Sequence, residues 1–204
     1  MSSQTGGKTY HHGDLRTALL AAAEEELSDK GVEGFTLRGC AKRAGVSHAA
    51  PAHHFKDANA LLTALAAGGF ERFAASMQRR RELAEKTPHE QHKAIGLGYI
   101  DFAKTNPALF RLMFSSARPD RRDDALSRTA SAAFDILVDA VRAVKGVDPR
   151  KDREAMLDVA ASWAIVHGLA ELTLSGRMPL PAAMAGEDVD QVYAEIAGRA
   201  FLKR

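Results

Sequence analysis

The sequence predicts an all-α protein in two parts, a three-helix domain over residues 12–72 and a larger helical bundle over residues 73–204. Two observations carry this expectation. Apolar residues recur at three- and four-residue spacing through most of the chain. Glycine, proline and short polar residues interrupt that pattern at intervals that suit helices, and no segment must be a strand. A third observation singles out residues 35–55, FTLRGCAKRAGVSHAAPAHHF, as two short helices joined by a glycine turn.

Taken in order, residues 1–9 are rich in Ser, Gly and Thr and are expected to form a disordered arm. Lys8 to His12 are either plain surface or a nucleic-acid contact. The adjacent His11 and His12 lack a third ligand for a metal. Asp14 is expected to start a helix with the stripe Leu15, Ala18, Leu19, Ala22, Ala23 and Leu27, and Gly31 to end it. Glu24, Glu25 and Glu26 read as its solvated face.

Thr36 suits an N-cap, because its hydroxyl can accept from an unpaired first-turn amide. Leu37, Cys40, Ala41 and Ala44 give the following helix a small apolar face, and Gly45 ends it in the left-handed conformation. Ser47 is then expected to cap a helix from His48 to Phe55. From Thr36 to Lys56 there are four basic residues, no acidic ones and three histidines. Charge of one sign on such a helix pair is what a helix-turn-helix reader of DNA requires.

Asp57 should cap a long helix from Ala58 to about Lys86, with Leu61, Leu62, Leu65, Phe70, Phe73 and Met77 inward. Arg79–Arg81 reads as solvated. Pro88 opens the next helix, where a first-turn proline is tolerated, and Asn106-Pro107 stops it. Gly96 and Gly98 weaken it and leave room for a ligand or a crossing helix; His89 and His92 read as surface. NPALFRLMF is a short helix with Phe110, Met113 and Phe114 inward, and ARPDRRDD a mobile polar loop. A helix from Asp123 to Val144 follows, then one from Arg150 to Leu174 that is apolar nearly all round from Val159 to Ala170. Such a helix should be buried on two faces, one of them against a second subunit. The last helix runs through Val189, Val192, Tyr193, Ile196, Ala197 and Ala200.

Three motifs carry a family resemblance. Thr36-Leu37-Arg38, Ala44-Gly45-Val46-Ser47 and Ala52-His53-His54-Phe55 match, in spacing, the reader of the TetR family of transcriptional regulators. YHHGDLR at the front and NPALFRLMF in the middle extend the likeness. Trp163, His167 and Gly168 resemble the Trp-x-x-x-His-Gly signature of a WHG-type C-terminal domain. Two positions depart from the family: its usual tyrosine is Ala52 and its usual lysine is Ala58. Both losses remove backbone contacts, which position a reader rather than specify sequence.

The resemblance implies a cytoplasmic homodimer, paired through the last two helices, that binds a palindromic operator in duplex DNA and is released by a ligand. Arg38 and His48 are placed to contact base edges and Ala49 and Ala50 to touch thymine methyls. Thr36, Ser47, Ala52, His53, His54 and Lys56 complete the expected DNA face. A small hydrophobic or aromatic effector is expected among Phe73, Met77, Tyr99, Phe102, Phe110, Met113, Phe134, Trp163 and His167, between the helices at 58–86, 88–106, 123–144 and 150–174.

Composition narrows the alternatives. The chain has 204 residues, 46% apolar, with a net charge of +2. One cysteine, Cys40, excludes an intramolecular disulfide and a multi-cysteine zinc site. The opening MSSQTGGKTY lacks the apolar core of a secretion signal, and no span of the membrane is expected. There is no Gly-x-Ser-x-Gly, no phosphate loop and no His-Glu-x-x-His. No enzyme, cofactor or metal site is therefore expected; the competing reading is a helical-bundle enzyme or carrier with an incidental basic helix pair.

Overall fold

A computed structural model describes residues 12–178 and 186–199. Among these residues there are eight α-helices and no strand: α1 His12–Lys30, α2 Leu37–Arg43, α3 Ala58–Leu83, α4 Pro88–Thr105, α5 Pro107–Ser115, α6 Asp124–Lys145, α7 Arg153–Leu174 and α8 Val189–Gly198. Lys8, His11 and Ala200 lie outside the described residues, as do the side chains of His12 and Asp14.

The helix starts follow from short polar side chains. Thr36, Asp57, Thr87, Asp123 and Asp152 each accept a hydrogen bond from a backbone amide three residues on. Pro88 and Pro107 occupy first-turn positions that have no helical partner to lose. Gly31, Gly45 and Gly146 close α1, α2 and α6 with φ near +70°.

One buried cluster runs through both halves, from Leu19, Leu27, Phe35 and Phe55 to Phe70, Phe73, Tyr99 and Phe110. The boundary expected at residue 72 falls inside α3, which is continuous from the reader into the bundle. Phe70, Phe73, Tyr99, Phe102, Phe110 and Phe114 meet with ring centroids 4.7–6.3 Å apart, mostly edge to face. Burying each such side chain contributes about 1.5–3 kcal/mol.

Helices α3 and α4 cross in close backbone contact at Gly98. A Cβ there would stand 2.6 Å from the Met77 Cα and from the Ser76 carbonyl oxygen. The Ser76 hydroxyl donates to the Gly98 carbonyl at 2.8 Å across the same crossing. Gly98 therefore makes room for a helix, not for a ligand. Gly168 is the reverse case: nothing lies within 4 Å of a Cβ built on it, so within the subunit no helix approaches there.

Several polar side chains expected on the surface are instead structural. Glu26 is 6% exposed and accepts from Arg43 at 2.6 Å. Arg43 also bonds Asp29, so α1 and α2 are tied through one guanidinium. Arg80, expected to be solvated, joins Asp101 on α4 to Asp190 on α8. The loop at 116–123 is fastened rather than mobile. Arg118 donates to the Val32 carbonyl and to Asn59, lies over the Phe35 ring, and the Asp120 amide donates to Thr63.

His92 is buried, with 3% exposure, and its Nε2 is 3.1 Å from the Ser162 hydroxyl on α7. By length and composition α7, Arg153–Leu174, is long and apolar enough to span a membrane. It packs instead on α4, α6 and α8, with its remaining apolar surface outward. Val159, Val166, Leu169 and Val192, on the two helices expected to pair subunits, are buried within this subunit.

Two outcomes follow. Gly98→Ala should cost about 1–3 kcal/mol in urea unfolding, because a backbone contact cannot give way; an unchanged midpoint would contradict the crossing. Burial holds the His92 imidazole down to about 4, against an ordinary 6.5. Below pH 6.5 the unfolded chain therefore takes up a proton that the folded chain refuses. This contribution is fully retained above pH 6.5 and is lost progressively as pH falls toward 4. Between pH 7 and 5 the wild type should lose on the order of 2 kcal/mol more than His92→Gln does. Parallel pH slopes for the two proteins would remove His92 as the cause.

Candidate functional sites: a basic reader and an aromatic cavity

The reader begins with α2 and its Thr36 cap, whose hydroxyl accepts from the Gly39 amide at 3.0 Å. Gly39 is required by its neighbour: a Cβ there would fall 1.9 Å from a Glu26 carboxylate oxygen. Without that gap Glu26 could not reach Arg43. Cys40 and Ala41 pack inward, and burial pushes the Cys40 thiol up to about 11, which keeps it an unreactive core residue.

The second reader helix differs from expectation. Ser47 makes no side-chain cap, and residues 48–55 do not form an α-helix. A single 3-10 turn, Ala50–His53, stands in its place. Pro51 is the physical reason, since it has no amide to donate and disfavours the α conformation at Ala50. The turn is held by Ala52 to Ala49 and His54 to Pro51 backbone bonds, and Phe55 is buried beneath the Arg16 guanidinium.

Thr36, Arg38, Lys42, Ser47, His48, Ala49, Ala52, His53 and Lys56 are exposed, and Ala50 and His54 half-buried. The structure thus brings the sequence-predicted DNA residues onto one segment. Arg43 is the exception among the basic residues, being spent on Glu26 and Asp29. Among the described residues Arg38, Lys42 and Lys56 form no ion pair.

In the bundle, a cavity of about 580 Å³ opens between α3, α4, α6 and α7, the four helices expected to enclose it. Of the residues predicted for it, Phe73, Met77, Tyr99, Phe134 and Trp163 line the wall. Phe102, Phe110 and Met113 do not; they are packed behind it as core, and Met113 lies against Gly69. His167 stands one step back, with Nδ1 2.7 Å from the Tyr99 hydroxyl. Burial pushes the Tyr99 phenol up, so it stays neutral. Trp163 is half-exposed and packs against Phe134 at 5.6 Å.

The polar lining escaped the sequence reading. His92, Ser162, Arg121, Asp135 and Arg150 all reach the cavity, from α4, the 116–123 loop, α6 and α7 or the turn before it. His92 had a usable signal, because it stands three residues before Ile95 on the apolar face of α4. The others had none: Arg121 and Arg150 lie in polar stretches, Asp135 and Ser162 in largely apolar ones, and only the fold turns them toward the cavity. Among the described residues no group of three His, Cys, Asp or Glu side chains gathers to hold a metal.

Both parts of the chain resemble known proteins. Residues 19–65 match the family described as bacterial regulatory proteins, tetR family, and residues 92–198 match the tetracyclin repressor-like C-terminal domain. That description is broader than the WHG-type domain suggested by Trp163, His167 and Gly168. A solved structure from Rhodococcus, of unknown function, superposes with a TM-score of 0.77 at 33% identity, covering 95% of this chain and 97% of that one. The tetracycline repressor protein class C of Escherichia coli is 49% identical over 51 residues, 25% of this chain and 23% of its own. The transcriptional regulator BetI of Pectobacterium carotovorum is 31% identical over 97 residues, 47% of this chain, so the match spans half of that relative's length. With the C-terminal match alone covering more than half of its residues and a relative of 33% identity aligned almost from end to end, the chain belongs to the TetR family of bacterial regulatory proteins.

Proposed function

We propose that this protein is a DNA-binding transcriptional regulator that represses as a dimer on a palindromic operator and leaves it when a small apolar effector binds. The supporting observation is the reader: an exposed basic segment with no acidic side chain, mounted on the first turn of α3, whose middle forms the cavity wall. Two such segments in successive major grooves would stand roughly 34–36 Å apart. A bundle enzyme or carrier has no use for that outward arginine and lysine.

Two routes connect cavity and reader. One is α3 itself, an unbroken helix from its Asp57 cap through Met77 to Leu83. The second is the 116–123 loop, with Arg121 in the cavity wall and Arg118 on Val32 and Asn59. Lys56 also attracts the Asp120 carboxylate in that loop. An effector that displaces either element changes the separation of the two readers, and a coupling of about 1–3 kcal/mol alters affinity 5–150-fold.

Dimerisation rests on α7. Leu157, Ala160, Ala164, Gly168 and Leu172 recur at helical spacing on its outward side, with Leu157 47% and Leu172 41% exposed. Small residues between two leucines let a symmetry-related helix approach closely. Ile196 on α8 adds a half-buried apolar edge.

Gel-shift titration on a palindromic operator tests the first claim. Arg38→Ala should weaken binding by about 1–3 kcal/mol with the fold intact; equal affinity would take Arg38 out of base reading. The joint change Ala52→Tyr with Ala58→Lys should tighten binding to operator and random DNA alike. For the dimer, Ala164→Glu should give monomers in sedimentation while retaining helicity. Persistent dimers would place the interface elsewhere.

A further inference from the structure

The cavity's charged lining narrows the chemistry of what it holds, an inference that rests on the cavity being the effector site. Its walls are largely aromatic, with Phe70, Phe73, Phe134 and Trp163 contributing faces and edges. Two guanidiniums, Arg121 and Arg150, reach it against one carboxylate, Asp135. Asp135 is already engaged by Arg150. His92 adds no charge at neutral pH, because burial holds it near 4, and Tyr99 stays protonated. The lining is left with one positive charge in excess.

That charge belongs to Arg121, which stands exposed at the rim of the cavity. Its Nη2 donates to the Met113 carbonyl at 2.9 Å, and among the described residues no carboxylate pairs with it. A guanidinium offers five donors in a planar fork, so one backbone bond leaves most of them available. We propose that the effector is a monocarboxylic acid with an aromatic or similarly bulky apolar body. Its carboxylate is received by Arg121 and its body lies against the aromatic walls. The hydroxyls of Ser131 and of Ser162, the latter bonded to His92, also line the cavity and offer neutral polar contacts.

The position of Arg121 gives this recognition a consequence. It lies on the loop whose Arg118 is bonded to Val32, between α1 and α2, and to Asn59, in the first turn of α3. A carboxylate drawn to Arg121 therefore acts on a segment that also touches the reader.

Calorimetric titration of the full chain at pH 7.5 with 2-naphthoate and with 2-naphthylmethanol, its neutral counterpart of the same shape, tests the inference. The acid should bind on the order of tenfold more tightly, as a charge-assisted pair requires. Arg121→Gln should abolish that preference by weakening the acid alone, and Arg121→Lys should restore part of it. Unchanged binding of the alcohol by Arg121→Gln would also show that the variant is folded. Equal affinities in the wild type, or a preference that survives Arg121→Gln, would overturn the inference and leave the cavity reading standing. If neither probe binds the wild type, the cavity reading falls as well.

Discussion

The contact on which the architecture depends is the backbone approach of α3 to α4 at Gly98. Helix axes come this close only where a side chain is missing, and a Cβ at Gly98 would stand 2.6 Å from the backbone of Met77 and Ser76. The crossing sets where Phe73 on α3 meets Tyr99 and Phe102 on α4, and so shapes one wall of the cavity. It also fixes the direction of α3, whose Asp57 cap sits next to the reader. Position of the reader and shape of the cavity thus descend from one packing constraint. Arg80 reinforces the arrangement farther along α3, clasping Asp101 and Asp190 at a site open enough that the pairs contribute modestly to stability.

Electrostatics divides the basic residues by task. Arg43 is drawn inward by Glu26 and Asp29 and holds α2 on α1, leaving Arg38, Lys42 and Lys56 outward. Gly39 makes this possible by leaving the space that the Glu26 carboxylate fills. A glycine there serves a salt bridge and not a turn. In the cavity the ordering is reversed. Aromatic faces dominate, the imidazole and phenol stay neutral through burial, and charge is confined to the arginines and Asp135.

The reader's irregular second half joins local chemistry to function. Pro51 shortens the segment to a 3-10 turn, and Ala52 stands exposed where a tyrosine is usual in the family. His53 and Lys56 stand exposed and His54 half-buried around this shorter support. Arg118, spread over Phe35 and bonded to Val32, stiffens the turn between α1 and α2 from the far side.

The sequence by itself determined the helical class, nearly every helix start, the first reader helix and the four helices around the cavity. These are local properties: a capping hydroxyl or carboxylate, a left-handed glycine and a 3.6-residue apolar stripe act within a few residues of chain. Thr36, Asp57, Pro88 and Gly146 were legible for that reason. Only the tertiary structure decided which polar residues turn inward. Glu26 and Arg43 are 17 residues apart, His92 and Ser162 are 70 apart, and Arg80 and Asp190 are 110 apart. It also decided which aromatics became cavity wall and which became core, separating Phe134 and Trp163 from Phe102 and Phe110. An apolar stripe records only that a face is buried. What buries it, and whether a gap remains, depends on helix crossings such as the one at Gly98.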